Sequence, residues 1–250
     1  MVFLDVAKQE ADWEELPEYL DVYVQQRSRF ARAQEGVARM ALDEVGVGSG
    51  RLLEVGLGTS ALAMQAQLRG LEYWCVEPYA PMVDWAVREG LVDADRAQCS
   101  PIETADLPTG YFDGVVMLMV LEHLMDPIEA LRSCLRALRP GGIIYVEVPN
   151  SRVFRSRTRL RRLLGMTDFM EGHINFFTPR SLSTALSAAG FSALRPRVLS
   201  NARRGDAELM TEYYVDSRRS LRVIYGLLSR FPMDQWLGVA SVLGCRGARH

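Results

Sequence analysis

A ten-residue stretch decides the fold of this chain: Arg51-Leu52-Leu53-Glu54-Val55-Gly56-Leu57-Gly58-Thr59-Ser60. It has the pattern of a short buried strand with an acidic residue at its end, then two glycines and the start of a helix. Glycine has no Cβ, so it permits both a tight turn and the close approach of a ligand to the backbone. The stretch therefore predicts a nucleoside cofactor at the mouth of an α/β sheet.

The glycine turn alone leaves two cofactors open. Gly56-x-Gly58-x-x-Ala61 also satisfies the dinucleotide fingerprint. Glu77 ends the next apolar run, at about the spacing at which an acid binds ribose hydroxyls. NAD and S-adenosylmethionine are both compatible with these residues.

Strands and helices alternate through the middle of the chain, which is typical of parallel βαβ units with right-handed crossovers. Apolar runs predict strands at 51–55, 72–76, 96–99, 113–118, 143–148, 191–197 and 211–215. Caps, prolines and glycines predict helices within 12–45, from 59 or 60 to 69, from 78 to 89, from 127 to about 138, and at 179–189. We also expect the apolar tail at 217–244 to be helical.

We expect one large domain, because 250 residues with 48% hydrophobic content are enough for one good core. Its predicted regions are a helical cap at 1–46, a cofactor-binding core at 47–200 with a substrate insert at 151–178, and a strand and helical tail at 201–250.

Composition and charge narrow the partners. With a net charge of −2, the protein has no overall electrostatic attraction to nucleic acid or to a membrane surface. The N-terminus lacks a signal-peptide pattern, and the apolar run at 115–121 is too short to span a bilayer. We therefore expect a cytoplasmic protein without a transmembrane segment or a nucleic-acid partner, either a monomer or a homodimer. The apolar tail could dock on its own chain, form the dimer or touch a membrane surface.

Several ordered motifs separate the two cofactors: Glu54-Val55-Gly56-Leu57-Gly58, Glu77-Pro78, Ser100-Pro101-Ile102-Glu103, Phe112-Asp113, Leu121-Glu122-His123-Leu124-Met125-Asp126-Pro127, Arg139-Pro140-Gly141-Gly142 and His173-Ile174-Asn175-Phe176-Phe177-Thr178. With these motifs in this order, the chain resembles the class I S-adenosylmethionine-dependent methyltransferases, in particular the ubiquinone-biosynthesis-like small-molecule branch. The resemblance covers about residues 50–197. It implies a Rossmann-like α/β sandwich, with a seven-stranded, mostly parallel sheet and helices on both faces.

The resemblance also implies how the cofactor is bound. Glu54 would complement the ammonium and sulfonium charges, directly or through water, and Glu77 would accept from both ribose hydroxyls. Ile102 would pack on the adenine and Glu103 would accept from its amine, although Glu103 could equally be a solvated loop acid. The expected cofactor-binding residues are Glu54, Gly56, Gly58, Glu77, Pro78, Ile102, Glu103 and Leu118.

Candidate catalytic groups follow from the chemistry of methyl transfer. A hydroxyl acceptor must lose its proton, whereas an unprotonated amine need not. We take His123 and His173 as candidate bases, because imidazole titrates near neutral pH. Related enzymes bind a divalent metal through a Glu-x-x-Glu-His motif and a distant ligand. Metal dependence stays open here: Glu122, His123 and His173 match, but Met119 occupies the first Glu position.

Substrate contacts are expected in the variable parts of the chain. Arg157 and Arg161 belong to an arginine-rich segment that could bind an anionic acceptor, although a solvated helix face explains it equally well. Tyr213 and Tyr214 could line the acceptor pocket, or simply alternate along a strand.

We expect an S-adenosylmethionine-dependent methyltransferase that acts on an oxygen or nitrogen of a small molecule, such as a sugar or a secondary-metabolite intermediate. The alternatives are an NAD-dependent oxidoreductase and a non-catalytic scaffold that retains the cofactor fold. Hydride transfer is less well supported, because the chain has no Tyr-x-x-x-Lys pair and its one lysine is Lys8.

Overall fold

A seven-stranded sheet forms the centre of the molecule. The computed structural model of the chain describes residues 34–58, 60–151, 173–199 and 242–250. Its strands are β1 Arg51–Val55, β2 Glu72–Val76, β3 Ala97–Gln98, β4 Phe112–Leu118, β5 Leu138–Pro149, β6 Ser192–Leu199 and β7 Val242–Ala248.

The sheet is mostly parallel, as predicted. The strand order is β3-β2-β1-β4-β5-β7-β6, and β7 pairs antiparallel with both β5 and β6. The chain runs from β1 outward to β3 and then returns to β4, on the other side of β1. In such sheets a crevice opens beyond the carboxyl ends of the strands where the direction of winding reverses. The fold therefore places a binding crevice beyond β1 and β4.

Helices cover both faces of the sheet. They are α1 at 34–45, α2 Ala61–Leu68, α3 Ala80–Arg88, α4 Pro127–Ala137 and α5 Pro179–Ala189. Buried side chains of α1, α2 and α3 belong to one apolar cluster, and those of α4 and α5 belong to the cluster on the other face. Within the described ranges, no helix combines the length and the apolar character needed to cross a bilayer.

Local signals set the helix ends. The Asp126 carboxylate accepts from the backbone N–H groups of Ile128 and Glu129 at 3.1 and 3.0 Å, which caps α4. Thr178 and Ser181 form a capping box at the start of α5. Gly190 ends α5 with a φ of 105°, a left-handed conformation that favours glycine. These caps explain why α5 has the predicted bounds.

Strand β7 was not predicted. We expected a helix through 217–244, but residues 242–244 open β7. The predicted strand at 211–215 and the remainder of that tail lie outside the described residues. Strand β5 also starts earlier than predicted, because Leu138 already pairs with Phe112 before a register shift and the regular ladder from Gly114.

Candidate active site

The glycine turn after β1 lies at the crevice. Gly56 has a φ of 81°, and a Cβ on it would be 2.4 Å from Cγ2 of Val120, so the close packing of the loop after β4 requires glycine there. Gly58 has a φ of 46°, and a Cβ on it would meet nothing within 4 Å. Gly56 is thus required by the packing of Val120, whereas Gly58 leaves the backbone accessible to a ligand.

Glu77 supports this turn from the end of β2. Its Oε2 accepts from the backbone N–H of Leu57 at 3.1 Å, and its Oε1 accepts from the N–H of Tyr79 at 3.0 Å. Burial raises the pKa of Glu77. Each carboxylate oxygen has a second lone pair, so Glu77 retains acceptor capacity for two hydroxyl groups. This geometry fits the expected ribose contact.

Glu54 is held inside the protein. Its side chain lies in the face of the sheet opposite α4 and α5, and the Tyr73 hydroxyl donates a hydrogen bond to it. Burial raises the pKa of Glu54 to about 8; the Tyr73 hydrogen bond opposes this shift and the Glu77 charge adds to it. The structure therefore gives Glu54 an internal partner, and its expected contact with the cofactor stays a prediction.

The other predicted cofactor residues differ in exposure. Ile102 is 3% exposed and belongs to the same buried cluster as Val76. Glu103 and Leu118 are half-buried, and Pro78 is exposed directly after Glu77. These four residues follow the carboxyl ends of strands or end a strand, so they lie toward the predicted crevice.

The charges around the glycine turn suit a cationic ligand. The charge of Glu77 adds to the burial that raises the pKa of Glu54, so the ionisation of Glu54 is disfavoured by negative charge nearby. A pyrophosphate would add further negative charge there, whereas a sulfonium and an ammonium would compensate it. The residues present thus fit S-adenosylmethionine better than a dinucleotide.

A three-residue cluster follows β4. Glu122 and His123 lie in a short 3₁₀ helix, Leu121–His123, and His173 precedes α5. Oε1 of Glu122 and Nε2 of His123 are 3.9 Å apart, and the rings of His123 and His173 meet edge to face with centroids 4.7 Å apart. One ligand atom from each of the three residues lies within 4.8 Å of the other two. The structure therefore brings both predicted catalytic histidines together.

Burial governs the protonation of this cluster. Glu122 is 1% exposed, and within the described ranges neither of its carboxylate oxygens has a hydrogen-bond partner. Burial raises its pKa to about 8. The pKa of His173 is lowered to about 4, chiefly by burial and then by the neighbouring His123. A buried carboxyl group without a hydrogen-bond partner in the described ranges, beside two imidazoles, fits a divalent cation as well as a proton-transfer site.

Two residues at this site escaped the sequence analysis. The side chain of Val120 leaves no room for a Cβ on Gly56. Asn175 connects the segment that carries His173 to the loop after β4. Asn175 was part of a quoted motif, but its role depends on contacts with main-chain carbonyls about fifty positions away. No residue pattern signals such contacts. The predicted substrate residues Arg157, Arg161, Tyr213 and Tyr214 lie outside the described residues.

Comparisons with known families give one assignment. A family model described as "Methyltransferase domain" matches residues 25–195, which is more than half of the chain. The match covers the glycine turn, Glu77 and the Glu122–His123–His173 cluster.

Individual relatives agree with this assignment. A "Ubiquinone biosynthesis O-methyltransferase" of Xanthomonas oryzae is 32% identical over 40% of this chain and 43% of its own length. A protein of the same name from Marinobacter nauticus is 32% identical over 43% of this chain and 48% of its own length. The chain thus spans less than half the length of these relatives.

Solved structures support the fold. A Thermotoga maritima structure described as "SAM-dependent methyltransferase, possible histamine N-methyltransferase" has a TM-score of 0.64 and 18% identity, and the match covers 95% of this chain and all of that one. At this level of identity the likeness concerns the fold, and it confirms the predicted Rossmann-like sheet.

Proposed function

The chain belongs to the methyltransferase domain family, and from this premise we propose that it transfers a methyl group from S-adenosylmethionine to a hydroxyl oxygen of a small molecule. The family match confirms the predicted class of enzyme and its cofactor, and it favours methyl transfer over hydride transfer. The oxygen acceptor is the proposed part. It is supported by the cluster of Glu122, His123 and His173, which includes two residues of the loop after β4 that packs against Gly56.

The acceptor determines which protein groups the reaction needs. S-adenosylmethionine supplies a methyl group that its sulfonium already activates. The protein must therefore place the acceptor in line with the methyl group and remove the proton of the acceptor. A hydroxyl needs a proton acceptor, and His123 and His173 are the candidates for that role. The names of the curated relatives also favour oxygen.

His123 is the better placed of the two bases. Its side chain is 32% exposed, so an acceptor can reach it, and the Glu122 carboxyl lies 3.9 Å behind it. In this mechanism the acceptor hydroxyl gives its proton to His123 as its oxygen bonds to the methyl carbon, while the carbon–sulfur bond breaks and S-adenosylhomocysteine leaves. His173, whose lowered pKa keeps it neutral at pH 7, offers a second nitrogen for orienting the acceptor.

The same three side chains support a second role as ligands of a divalent cation. One carboxylate and two imidazoles form a donor set that suits a borderline ion such as Zn²⁺. The side chain of Met119 offers no oxygen, which makes the set a poor one for Mg²⁺. A bound cation would lower the pKa of an acceptor hydroxyl. We propose the base and the cation as alternatives.

Further expectations complete the proposal. An anionic acceptor would be bound by Arg157 and Arg161, with Tyr213 and Tyr214 along its pocket. We also propose that the protein acts in the cytoplasm as a monomer or homodimer, without nucleic acid. The arginine-rich segment supports an anionic acceptor, and the net charge of −2 supports the absence of a nucleic-acid partner.

Matched acceptor pairs test the oxygen proposal. We would measure S-adenosylhomocysteine release with pairs of small molecules that differ in one group, a hydroxyl or a primary amine. We expect turnover with hydroxyl members and a loss of about 10²-fold or more in His123→Ala. Arg132→Ala, an exposed change on α4, serves as the control. Turnover confined to amines, with His123→Ala fully active, would contradict the proposal.

A metal assay separates the two roles of the cluster. The protein would be dialysed against a chelator and then titrated with Zn²⁺, Mn²⁺ or Mg²⁺, with bound metal measured by atomic emission. Stoichiometric binding that His173→Ala abolishes, together with restored turnover, would select the cation. Full turnover of the metal-free protein would select His123 as the base.

A further inference from the structure

Residues 173–177, here called the returning segment, are hydrogen-bonded on two sides. On one side the backbone N–H groups of Ile174 and Asn175 both donate to the carbonyl of Glu122, at 3.0 and 2.9 Å. On the other side the N–H of Ser151 donates to the carbonyl of Phe177 at 2.9 Å. The segment therefore lies between the loop after β4 and the end of β5.

Asn175 adds a side-chain connection that the backbone cannot make. Its Nδ2 donates to the carbonyl of Leu124 at 2.6 Å and lies 3.4 Å from the carbonyl of Leu121. These two carbonyls flank Glu122 and His123 in sequence. Because both partners are acceptors, the amide must present its nitrogen to them. One side chain thus holds both ends of the 3₁₀ turn that carries Glu122 and His123.

This connection adds to the main-chain bonds that hold the segment carrying His173. His173 is two residues before Asn175, and its ring meets that of His123 at a centroid distance of 4.7 Å. His123 itself belongs to the turn that Asn175 holds. The relative position of the two imidazoles therefore depends on the bonds from Asn175 to the carbonyls around them.

We propose that Asn175 is a positioning residue, whose amide holds His173 against His123 and so assembles the catalytic cluster. The proposal rests on the proposed function, because it assigns a purpose to the histidine pair. Asn175 touches main-chain carbonyls of the turn and acts through the two histidines. A displacement of a catalytic group by about 1 Å is enough to slow a reaction about 10²-fold.

The histidine pair can be observed directly in solution. The chain has three histidines, so protein labelled with ¹³C- and ¹⁵N-histidine gives three sets of ring signals. Rings with centroids 4.7 Å apart bring ring hydrogens within range of a nuclear Overhauser effect. We expect a cross-peak between His123 and His173 in the wild-type protein, assigned through His123→Ala and His173→Ala. This readout needs neither an acceptor nor turnover, so a failure of the proposed function leaves it interpretable.

Two substitutions remove the amide donor. Asn175→Asp keeps the shape but replaces the donor with an acceptor that faces two carbonyls, and Asn175→Ala removes the group. We expect both to lose the cross-peak, while the affinity for S-adenosylmethionine changes less than about twofold. With an acceptor in hand, kcat should fall about tenfold or more and the acceptor KM should change less.

Thr178→Ala is the matched control. Thr178 follows the returning segment, and its Oγ1 accepts from the N–H of Ser181 at 3.1 Å, so its loss removes the cap of α5. We expect this variant to lose stability yet keep the cross-peak. A cross-peak that persists in folded Asn175→Asp would overturn the proposal. Its loss in Thr178→Ala as well, or its absence from the wild-type protein, would also overturn it.

Discussion

Single residues at the crevice serve both the fold and the ligand. Glu77 accepts two main-chain N–H groups that shape the glycine turn, and it retains lone pairs for a ligand. Gly56 is required by packing, whereas Gly58 leaves space. The same motif therefore contains positions whose substitution should affect stability and positions whose substitution should affect binding.

Replacing Glu77 should weaken cofactor binding. Glu77→Gln has one acceptor oxygen in place of two, so it cannot hold Leu57, Tyr79 and two ribose hydroxyls together. We expect the Kd for S-adenosylmethionine to rise about tenfold or more, measured by isothermal titration. Glu72→Gln makes the same change at the opposite end of β2, where Oε1 of Glu72 accepts from Trp74 and Tyr111, and it should leave Kd unchanged. Equal Kd values for wild type and Glu77→Gln would contradict the role of Glu77.

The two glycines should respond differently to alanine. Gly56→Ala places a methyl group 2.4 Å from Val120 Cγ2 and should cost about 2 kcal/mol or more of the free energy of unfolding. Val120→Ala should recover part of this loss in the double variant, as measured by urea unfolding. Gly58→Ala should cost about 1 kcal/mol for its φ alone and should weaken cofactor binding more than folding. The same stability loss in both alanine variants, with no rescue by Val120→Ala, would count against this division.

Glu54 should make stability depend on pH. Its pKa is about 8 in the folded protein and 4.5 without the fold, so the folded state retains a proton between these values. The stabilising contribution is complete below pH 4.5 and is lost as the pH rises to about 8. Glu54→Gln still offers an acceptor to Tyr73 but does not ionise. Between pH 5 and pH 8 we expect wild type to lose about 1–3 kcal/mol more than this variant in urea unfolding. If the free energies of unfolding of wild type and Glu54→Gln changed equally with pH, the pH dependence would not come from Glu54.

At the scale of elements, local signals were predictable and long-range pairing was not. Strand β2 and helix α5 have the predicted bounds, because apolar runs, caps and glycines act over a few residues. Strand β7 contains two glycines and escaped prediction, since its backbone pairs with β5 and β6. A Cβ on Gly244 would be 2.6 Å from the Tyr145 hydroxyl oxygen, a constraint that appears only once β5 and β7 are paired.

Arg249, in the segment after β7, connects α4 to the sheet through hydrogen bonds. Nη1 of Arg249 donates to the carbonyls of Leu135 and Arg136 at 2.8 and 2.9 Å, and also to that of Leu138. Leu135 and Arg136 lie in the last turn of α4, where carbonyls lack partners within the helix and a positive charge is favourable, and Leu138 is the first residue of β5. This contact explains how a residue near position 250 supports the middle of the fold.

Removing this guanidinium should destabilise the protein. We expect Arg249→Met to lower the free energy of unfolding by about 1–3 kcal/mol, because the partly buried carbonyls of Leu135 and Leu138 lose a charged donor. Arg132→Met on the exposed side of α4 should change it by less than about 0.5 kcal/mol, since its ion pair with Glu129 is exposed. Thermal and urea unfolding of the two variants would measure the difference. If Arg249→Met lowered the free energy of unfolding no more than Arg132→Met does, the hydrogen bonds of Arg249 would add nothing to stability.

At the scale of the whole molecule, topology assembles the site. The sequence analysis assigned Glu54, Glu77 and Leu118 to one cofactor site, and the parallel strands β1, β2 and β4 bring these residues to the same edge of the sheet. It also singled out His123 and His173, fifty positions apart, whose rings lie together in the structure. The internal hydrogen bond of Glu54 to Tyr73 and the role of Asn175 could not be predicted, because each depends on the relative placement of separate elements.

The most direct test of the central claim is isothermal titration of the folded protein with S-adenosylmethionine, S-adenosylhomocysteine and NAD. We predict micromolar binding of the first two, weakened in Glu77→Gln, and no binding of NAD. Binding of NAD in place of S-adenosylmethionine, or no binding of either by folded protein, would contradict the assignment of the crevice.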